Sequence, residues 1–252
     1  MTEVIRLEGV HKRFGGIVVA QDINLTIGQG DILGLIGPNG AGKTSLFNLI
    51  SGVVALDAGS IFLAGERIDT MPLYRRARAG ISRTWQHMRL FHTMTVMENL
   101  AVAPRAYGGE SLLKVLLSPR AMRREQAALQ ERGQAILRRL GLADMADKLV
   151  SELPFGQQKL IGLARALMHG GECLLLDEPM AGVEGHAYET MQSVVREEAA
   201  NGRAVCVVEH NISFIKDLCT SAVFMANGRI IQSGTVDELL GSSVLAELYF
   251  GV

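Results

Sequence analysis

The stretch GPNGAGKT, Gly37 to Thr44, sets glycines, a lysine and a hydroxyl in the spacing G-x-x-x-x-G-K-T. Glycines let the backbone curl until successive N–H groups point inward, a geometry that holds phosphate oxygens. The apolar run DILGLIG precedes the loop, and KTSLFNLISG follows it with helical spacing and a glycine stop. A helix N-terminus there adds partial positive charge. Lys43 can reach the β- and γ-phosphates of a nucleotide, and the Thr44 hydroxyl can hold magnesium. Gly37, Pro38, Asn39, Gly40, Ala41, Gly42, Lys43, Thr44 and Ser45 are therefore the candidate phosphate-binding set.

A second group of residues suits the chemistry of a bound triphosphate. ECLLLDEP reads as a buried strand ending in Asp177 and Glu178. An acid at the carboxyl end of such a strand can hold magnesium, directly or through water. A second acid beside it can orient or deprotonate an attacking water. His210 ends the apolar run AVCVVEH and can donate to a γ-phosphate. Gln86, after the strand-like ISRTW, can address magnesium and water through its amide.

These groups need a scaffold. VIRLEGV alternates, and INLTI is β-branched, so the first thirty residues read as strands. SIFLAGERI is strand-like, and the basic segment YRRARAG leads into ISRTWQ. From Thr95 to Gly141 the character turns helical. VMENLAVAP stops near Pro104, RAYGGESLLKVLLSP is irregular with an apolar cluster that suits core packing, and AMRREQAALQERGQAILRRLG is long and amphipathic. In LPFGQQ, Pro154 suits the first turn of the helix KLIGLARALM. AYETMQSVVREEAANG reads as a helix. SAVFMANGRIIQSG reads as a hairpin about Asn227-Gly228. TVDELL carries a capping box of Thr235 and Glu238, and SSVLAELYF reads as a last short helix. Strands alternating with helices at both ends imply an α/β core with a parallel sheet.

Bulk properties narrow the class. A net charge of −1, no basic tail and 5% aromatic residues argue against nucleic acid. The three cysteines, Cys173, Cys206 and Cys219, form no disulfide framework and fit a reducing, cytoplasmic setting. The N-terminus lacks the apolar segment of a signal peptide. No apolar run reaches the roughly 18 residues of a membrane span, so membrane association is expected to be peripheral.

In the order phosphate loop, Gln86, helical insertion, LPFGQQ, LLLDE and His210, essentially the whole chain resembles the ATP-binding cassette (ABC) transporter ATPases. The resemblance implies one domain over residues 1–252. A RecA-like core with an antiparallel β sub-domain covers 1–94 and 170–252, and an inserted α-helical sub-domain covers 95–169. It implies ATP and Mg2+ as cofactors, with Thr44, Gln86 and Asp177 at the metal. Phe14 matches the aromatic that stacks on adenine. Glu178 matches the general base, His210 the γ-phosphate switch, and Gln86 the lever toward the membrane subunit. Lys43 completes the catalytic set. Met180 to Glu184 matches the loop that crosses the dimer, with Glu184 where aspartate is usual. Leu153, Pro154, Phe155, Gly156 and Gln157 occupy the place of the signature Leu-Ser-Gly-Gly-Gln, whose helix start faces the ATP of a partner subunit. Here Pro154 replaces the serine and Phe155 the first glycine, so the hydroxyl contact is absent while the N–H of Gly156 remains.

RTWQHMRLFHTMTVMENLAVA, the long insertion, LPFGQQ, VVEHNISFI and the ending YFG look like the larger, G-type ATPase of branched-chain amino acid importers. That resemblance implies integral membrane permease subunits, a second ABC ATPase in a homo- or heterodimer, and a periplasmic substrate-binding protein reached indirectly. It places the chain at the cytoplasmic face of the inner membrane. Import of urea or aromatic acids, lipopolysaccharide export and a soluble, non-transport ATPase of the same superfamily are the alternatives. A small-molecule kinase would need a lid and an acceptor pocket, and would not need LPFGQQ or the histidine.

Overall fold

The computed structural model describes residues 2–86, 88–105 and 118–241. The apolar cluster LLKVLL and the segment SSVLAELYF lie outside these residues. The chain divides into two compact units: Met1–Gln86, Gly171–Ala181 and Val195–Val252 form the first, and His87–Gly170 with Gly182–Val194 the second. The helical unit therefore starts eight residues before the Thr95 expected from sequence, and it also takes in 182–194.

The first unit holds two sheets. β1 (Glu3–Phe14), β2 (Ile17–Gly28), β4 (Ala58–Leu63) and β5 (Glu66–Arg67) form an antiparallel sheet in the order β2-β1-β4-β5. The second sheet runs β10-β9-β3-β8-β7-β6, from β3 (Ile32–Ile36), β6 (Ile81–Arg83), β7 (Cys173–Asp177), β8 (Ala204–Val208), β9 (Ser221–Ala226) and β10 (Arg229–Gly234). Its pairings are parallel except for β9 with β10. The five residues of β3, of β7 and of β8 are all buried, which is why each reads as a continuous apolar run rather than an alternation.

Alternation along the strands splits the core. Leu33 and Leu35 of β3, and Val223 and Met225 of β9, join one cluster with β1, β2, β4 and the helix α1 (Lys43–Ser51), which buries Leu46, Phe47, Leu49 and Ile50. Ile36, Ala222, Phe224 and Ala226 point the other way, into a cluster with Ile215 of α7 (Ile212–Leu218) and with Val236 and Leu239 of α8 (Val236–Leu240). Each fully buried aliphatic side chain contributes roughly 1.5–3 kcal/mol. The helix that follows the glycine loop is thus fixed inside the larger core.

α2 (Leu73–Ala79) contains an inversion that its basic composition conceals. Arg76 is 1% exposed while Leu73 and Tyr74 face solvent. Its guanidinium donates to the carbonyls of Leu49, Ile50, Met71 and Asp69, so it caps the C-terminal end of α1. The hairpin turn is as expected: Asn227 and Gly228 both take positive φ, 49° and 75°, as a type I′ turn requires. The capping box of Thr235 and Glu238 is formed.

The second unit contains α3 (Val96–Ala101), α4 (Pro119–Arg139) and α5 (Phe155–His169), which pack on one another. α3 starts from a further capping box, Thr95 with Glu98, and its buried Asn99 exchanges hydrogen bonds with the backbone of Phe91. α6 spans His186–Ala200. Pro154 was expected inside the first turn of α5. It stands one position earlier, as the N-cap, with φ −57° and ψ 152°. Its extended ψ keeps it out of the helix, while its carbonyl accepts the N–H of Gln158 at 3.0 Å.

Candidate active site

The phosphate loop leaves β3 at Ile36 and enters α1 at Lys43. Two glycines are demanded by close approach. A Cβ on Gly37 would lie 2.0 Å from the carbonyl oxygen of Met225, and one on Gly42 would lie 2.2 Å from that of Val19. Gly42 also takes φ 104° as the N-cap of α1, which no side chain caps. The β9–β10 turn closes on the loop, with the Gly228 N–H donating to the Ala41 carbonyl at 3.0 Å. The Lys43 ammonium donates to the carbonyls of Gly37 and Pro38 at 2.7 and 3.0 Å. Burial lowers its pKa, and the charges of Glu178 and Asp177 oppose that shift.

The carboxyl ends of the parallel strands carry the rest of the site. Asp177 ends β7 and is 2% exposed. Its Oδ2 accepts from Arg83 at 2.8 Å, and its Oδ1 is buried with no protein partner. Glu178 leaves the strand in the left-handed region, φ 46°, a conformation that costs an ordinary side chain about 1–2 kcal/mol. Its N–H is held by the Val208 carbonyl at 2.9 Å. Its carboxylate is held at both oxygens, by His210 Nε2 at 3.0 Å and by the Gln86 amide at 2.9 Å.

His210 was expected to end β8. The strand stops at Val208, and Glu209 turns its carboxylate onto two backbone N–H groups. Oε1 accepts the Met180 N–H at 2.7 Å and Oε2 the His210 N–H at 3.2 Å. Burial raises the Glu209 pKa, against these backbone donors. The segments after β7 and after β8 are thereby tied together.

The phosphate loop, Asp177, Glu178, Gln86 and His210 all belong to the first unit. Phe14 belongs to it too. It ends β1, 47% exposed, with the Lys12 ammonium 5.4 Å from its ring centre. Leu153, Pro154, Phe155, Gly156 and Gln157 belong to the second unit, as do Gly182 and Glu184, whereas Met180 and Ala181 stay in the first. Phe155 is 52% exposed and lies against Gly182, where a Cβ would come within 2.9 Å of its ring. Sequence reasoning missed Arg83, Thr84 and Glu209. The signal available for Glu209 was an acid inside an apolar strand run, a residue type that is seldom buried without partners.

A glycine loop between a parallel strand and a helix, with paired acids, a histidine and a glutamine at the carboxyl ends of the same sheet, defines a phosphate-loop nucleotide-binding ATPase. The profile of the ABC transporter family matches residues 20–181, and the chain belongs to that family. It is 31% identical over 249 residues to the high-affinity branched-chain amino acid transport ATP-binding protein LivG of Escherichia coli, covering 98% of both chains. It is 30% identical to the corresponding protein BraF of Pseudomonas aeruginosa, again over 98% of both. The lipopolysaccharide export ATP-binding protein LptB of Haemophilus influenzae is 29% identical over 98% of this chain and 97% of its own. Among solved structures, a nucleotide-free ATP-binding cassette of an ABC transporter superposes with a TM-score of 0.85 at 30% identity, covering 98% of each chain. A cassette in its ADP conformation gives 0.85 at 29%, covering all of both.

Proposed function

We propose that the chain is the ATP-hydrolysing motor subunit of a membrane importer for branched-chain amino acids or a related amino acid or amide. The observation that carries hydrolysis is the Glu178 carboxylate, strained in backbone and held between Gln86 and His210 next to a buried Asp177. The observation that carries the importer is end-to-end similarity to transport ATP-binding proteins of that class.

In this reading the loop from Gly37 to Ser45 binds the phosphates and Phe14 stacks on adenine. Lys43 leaves the Gly37 and Pro38 carbonyls for the β- and γ-oxygens. Glu178 takes the proton of the attacking water, and His210 donates to the γ-phosphate. Among the described residues there is no group of three or more His, Cys, Asp or Glu side chains that could hold a metal alone. Thr44, Gln86 and Asp177 would hold magnesium together with phosphate oxygens and water. The chain's donors fit that shared site: the exposed Thr44 hydroxyl, the Gln86 amide, and Asp177 Oδ1, a buried acceptor that no protein group satisfies. Bound there, Mg2+ supplies charge that offsets the negative charge developing on the phosphates. Leu153 to Gln157 present the N-terminus of α5 to the nucleotide of a second ATPase, homo- or heterodimeric, and the permeases hold the pair at the cytoplasmic face of the membrane. No helix among the described residues is long and apolar enough to cross a membrane.

The test is Glu178→Gln. Phosphate release is expected to fall by about 100-fold or more, with ATP binding retained. Full turnover would remove Glu178 from the role of base. The same variant, pulled from native membranes with ATP and magnesium, should bring two integral membrane proteins and a second ATPase. Partners of a lipopolysaccharide exporter, or no membrane partner at all, would replace the importer reading.

A further inference from the structure

Arg83 is a cation beside the site that the proposed chemistry does not use. It ends β6, and its side chain is 5% exposed. One guanidinium nitrogen donates to Asp177 Oδ2 at 2.8 Å. Another donates to Asn48 Oδ1 at 2.8 Å and Ser51 Oγ at 2.9 Å. The group also lies over the Trp85 ring, 4.3 Å from its centre, and 5.5 Å from that of Phe47. Thr44, Asn48 and Ser51 stand at i, i+4 and i+7 of α1, one stripe of the helix. Arg83 therefore grips the stripe that begins with Thr44 and, with the other arm, the carboxylate of Asp177.

We propose that Arg83 is a positioning residue for the magnesium site, setting the separation of Thr44 from Asp177 and leaving Asp177 Oδ1 as the oxygen that faces the cation. The proposal rests on the nucleotide-and-magnesium reading above. Three observations support it. The guanidinium is a planar fork whose donors leave at fixed angles, so one group can hold two elements at a set distance. With Oδ2 engaged by Arg83, Oδ1 is the remaining acceptor of the carboxylate, and it is buried without a partner. The same strand end holds Asp177 by its backbone: the Asp177 N–H donates to Thr84 Oγ1 at 3.1 Å, and the Thr84 N–H to the Leu175 carbonyl at 2.9 Å. A lysine at this position could keep the charge but not the two-element grip.

Magnesium linkage separates positioning from bulk stability. ADP binding to the purified chain is measured by isothermal titration calorimetry, in EDTA and across a magnesium series, for wild type, Arg83→Lys and Asn48→Ala. Arg83→Lys is expected to raise the half-saturating magnesium concentration by about 10–100-fold, as loss of an outer-shell partner of a metal ligand does, with ADP affinity in EDTA unchanged. Asn48→Ala removes one of the two acceptors of one arm, leaving Ser51, without unpairing a charge, and is expected to show a smaller rise in the same direction. If Arg83→Lys does not fold, Asn48→Ala alone carries the test. Unchanged magnesium dependence in the folded variants, or an equal loss of ADP affinity with and without magnesium, overturns the proposal. A wild-type chain that binds ADP without any magnesium dependence would instead overturn the reading on which it rests.

Discussion

Helix α1 begins at Gly42 with φ 104°, and helix α5 begins at Pro154 with φ −57° and ψ 152°. Neither start has a side-chain cap, so both leave first-turn N–H groups for an anion. They are built in opposite ways. The start of α1 is held by remote parts of the chain: the Met225 and Val19 carbonyls press on Gly37 and Gly42, and Gly228 donates to Ala41. The start of α5 has its backbone held by near neighbours, with Phe155 against Gly182 as a side-chain contact from farther along the chain. Leu153 is buried, Pro154 fixes its own φ, and the Gln158 side chain returns to the Leu153 carbonyl at 2.8 Å. A start set by long-range contact tolerates no added atom, whereas one set by local geometry tolerates a change of side chain.

Gly42→Ala is the strongest way to break this contrast. The new methyl meets the Val19 carbonyl and the backbone stays left-handed, so a loss of about 2–5 kcal/mol is expected from overpacking and strain together. Urea denaturation reads the stability, and nucleotide titration should find no binding. An alanine variant of wild-type stability would show that the loop relaxes freely.

Glu209→Gln should act on the next scale. The amide nitrogen replaces an oxygen that accepts a backbone N–H, leaving a buried donor facing a donor at a cost of about 1–3 kcal/mol. Turnover should fall while nucleotide affinity holds, because Met180 and His210 lose their shared anchor and the phosphate loop does not. The pH dependence follows from the raised pKa. The native state keeps the Glu209 proton to a higher pH than the unfolded chain does. The stability this contributes is complete below the unfolded value and is lost as pH rises through the folded value. Glu209→Gln should remove that part of the decline, and melting curves across the acid range would show whether it does.

Thr95→Ala removes a capping box made only of neighbours in sequence. It should cost about 1 kcal/mol in thermal melting and leave nucleotide affinity unchanged. Pro154→Ser is expected to have the smallest effect. It gives α5 a capping hydroxyl and takes away a fixed φ, two opposing terms each of about 1 kcal/mol or less. Turnover in the assembled transporter should stay at the wild-type level. A marked rise would show that the proline limits the signature helix.

Local chemistry was legible where the residues themselves decide the conformation. The glycine loop, the Asn227-Gly228 turn, the capping box of Thr235 and Glu238 and the buried run ending at Asp177 depend on neighbours one to four positions away. Residue type and strand context set Asp177 and Glu178 beside the phosphate loop, and family order brought Gln86 and His210 into the same candidate site. Arg76 and Arg83 were not legible. In YRRARAG and ISRTWQ an arginine reads as surface charge, and only the folded chain shows Arg76 on the end of α1 and Arg83 on Asp177.

Amino-acid type and near-neighbour spacing alone determined that this chain has a phosphate loop and an acid pair at the end of a buried strand, and the family resemblance identified the altered signature. Tertiary structure decided which groups hold those residues. The Glu178 carboxylate finds Gln86 and His210 across 92 and 32 positions of chain, and Asp177 finds Arg83 across 94. The difference lies in where the energy comes from. Turns and caps are settled by one residue's dihedrals and its nearest donors, whereas a buried charge is stable only beside partners that the packed sheet brings to it.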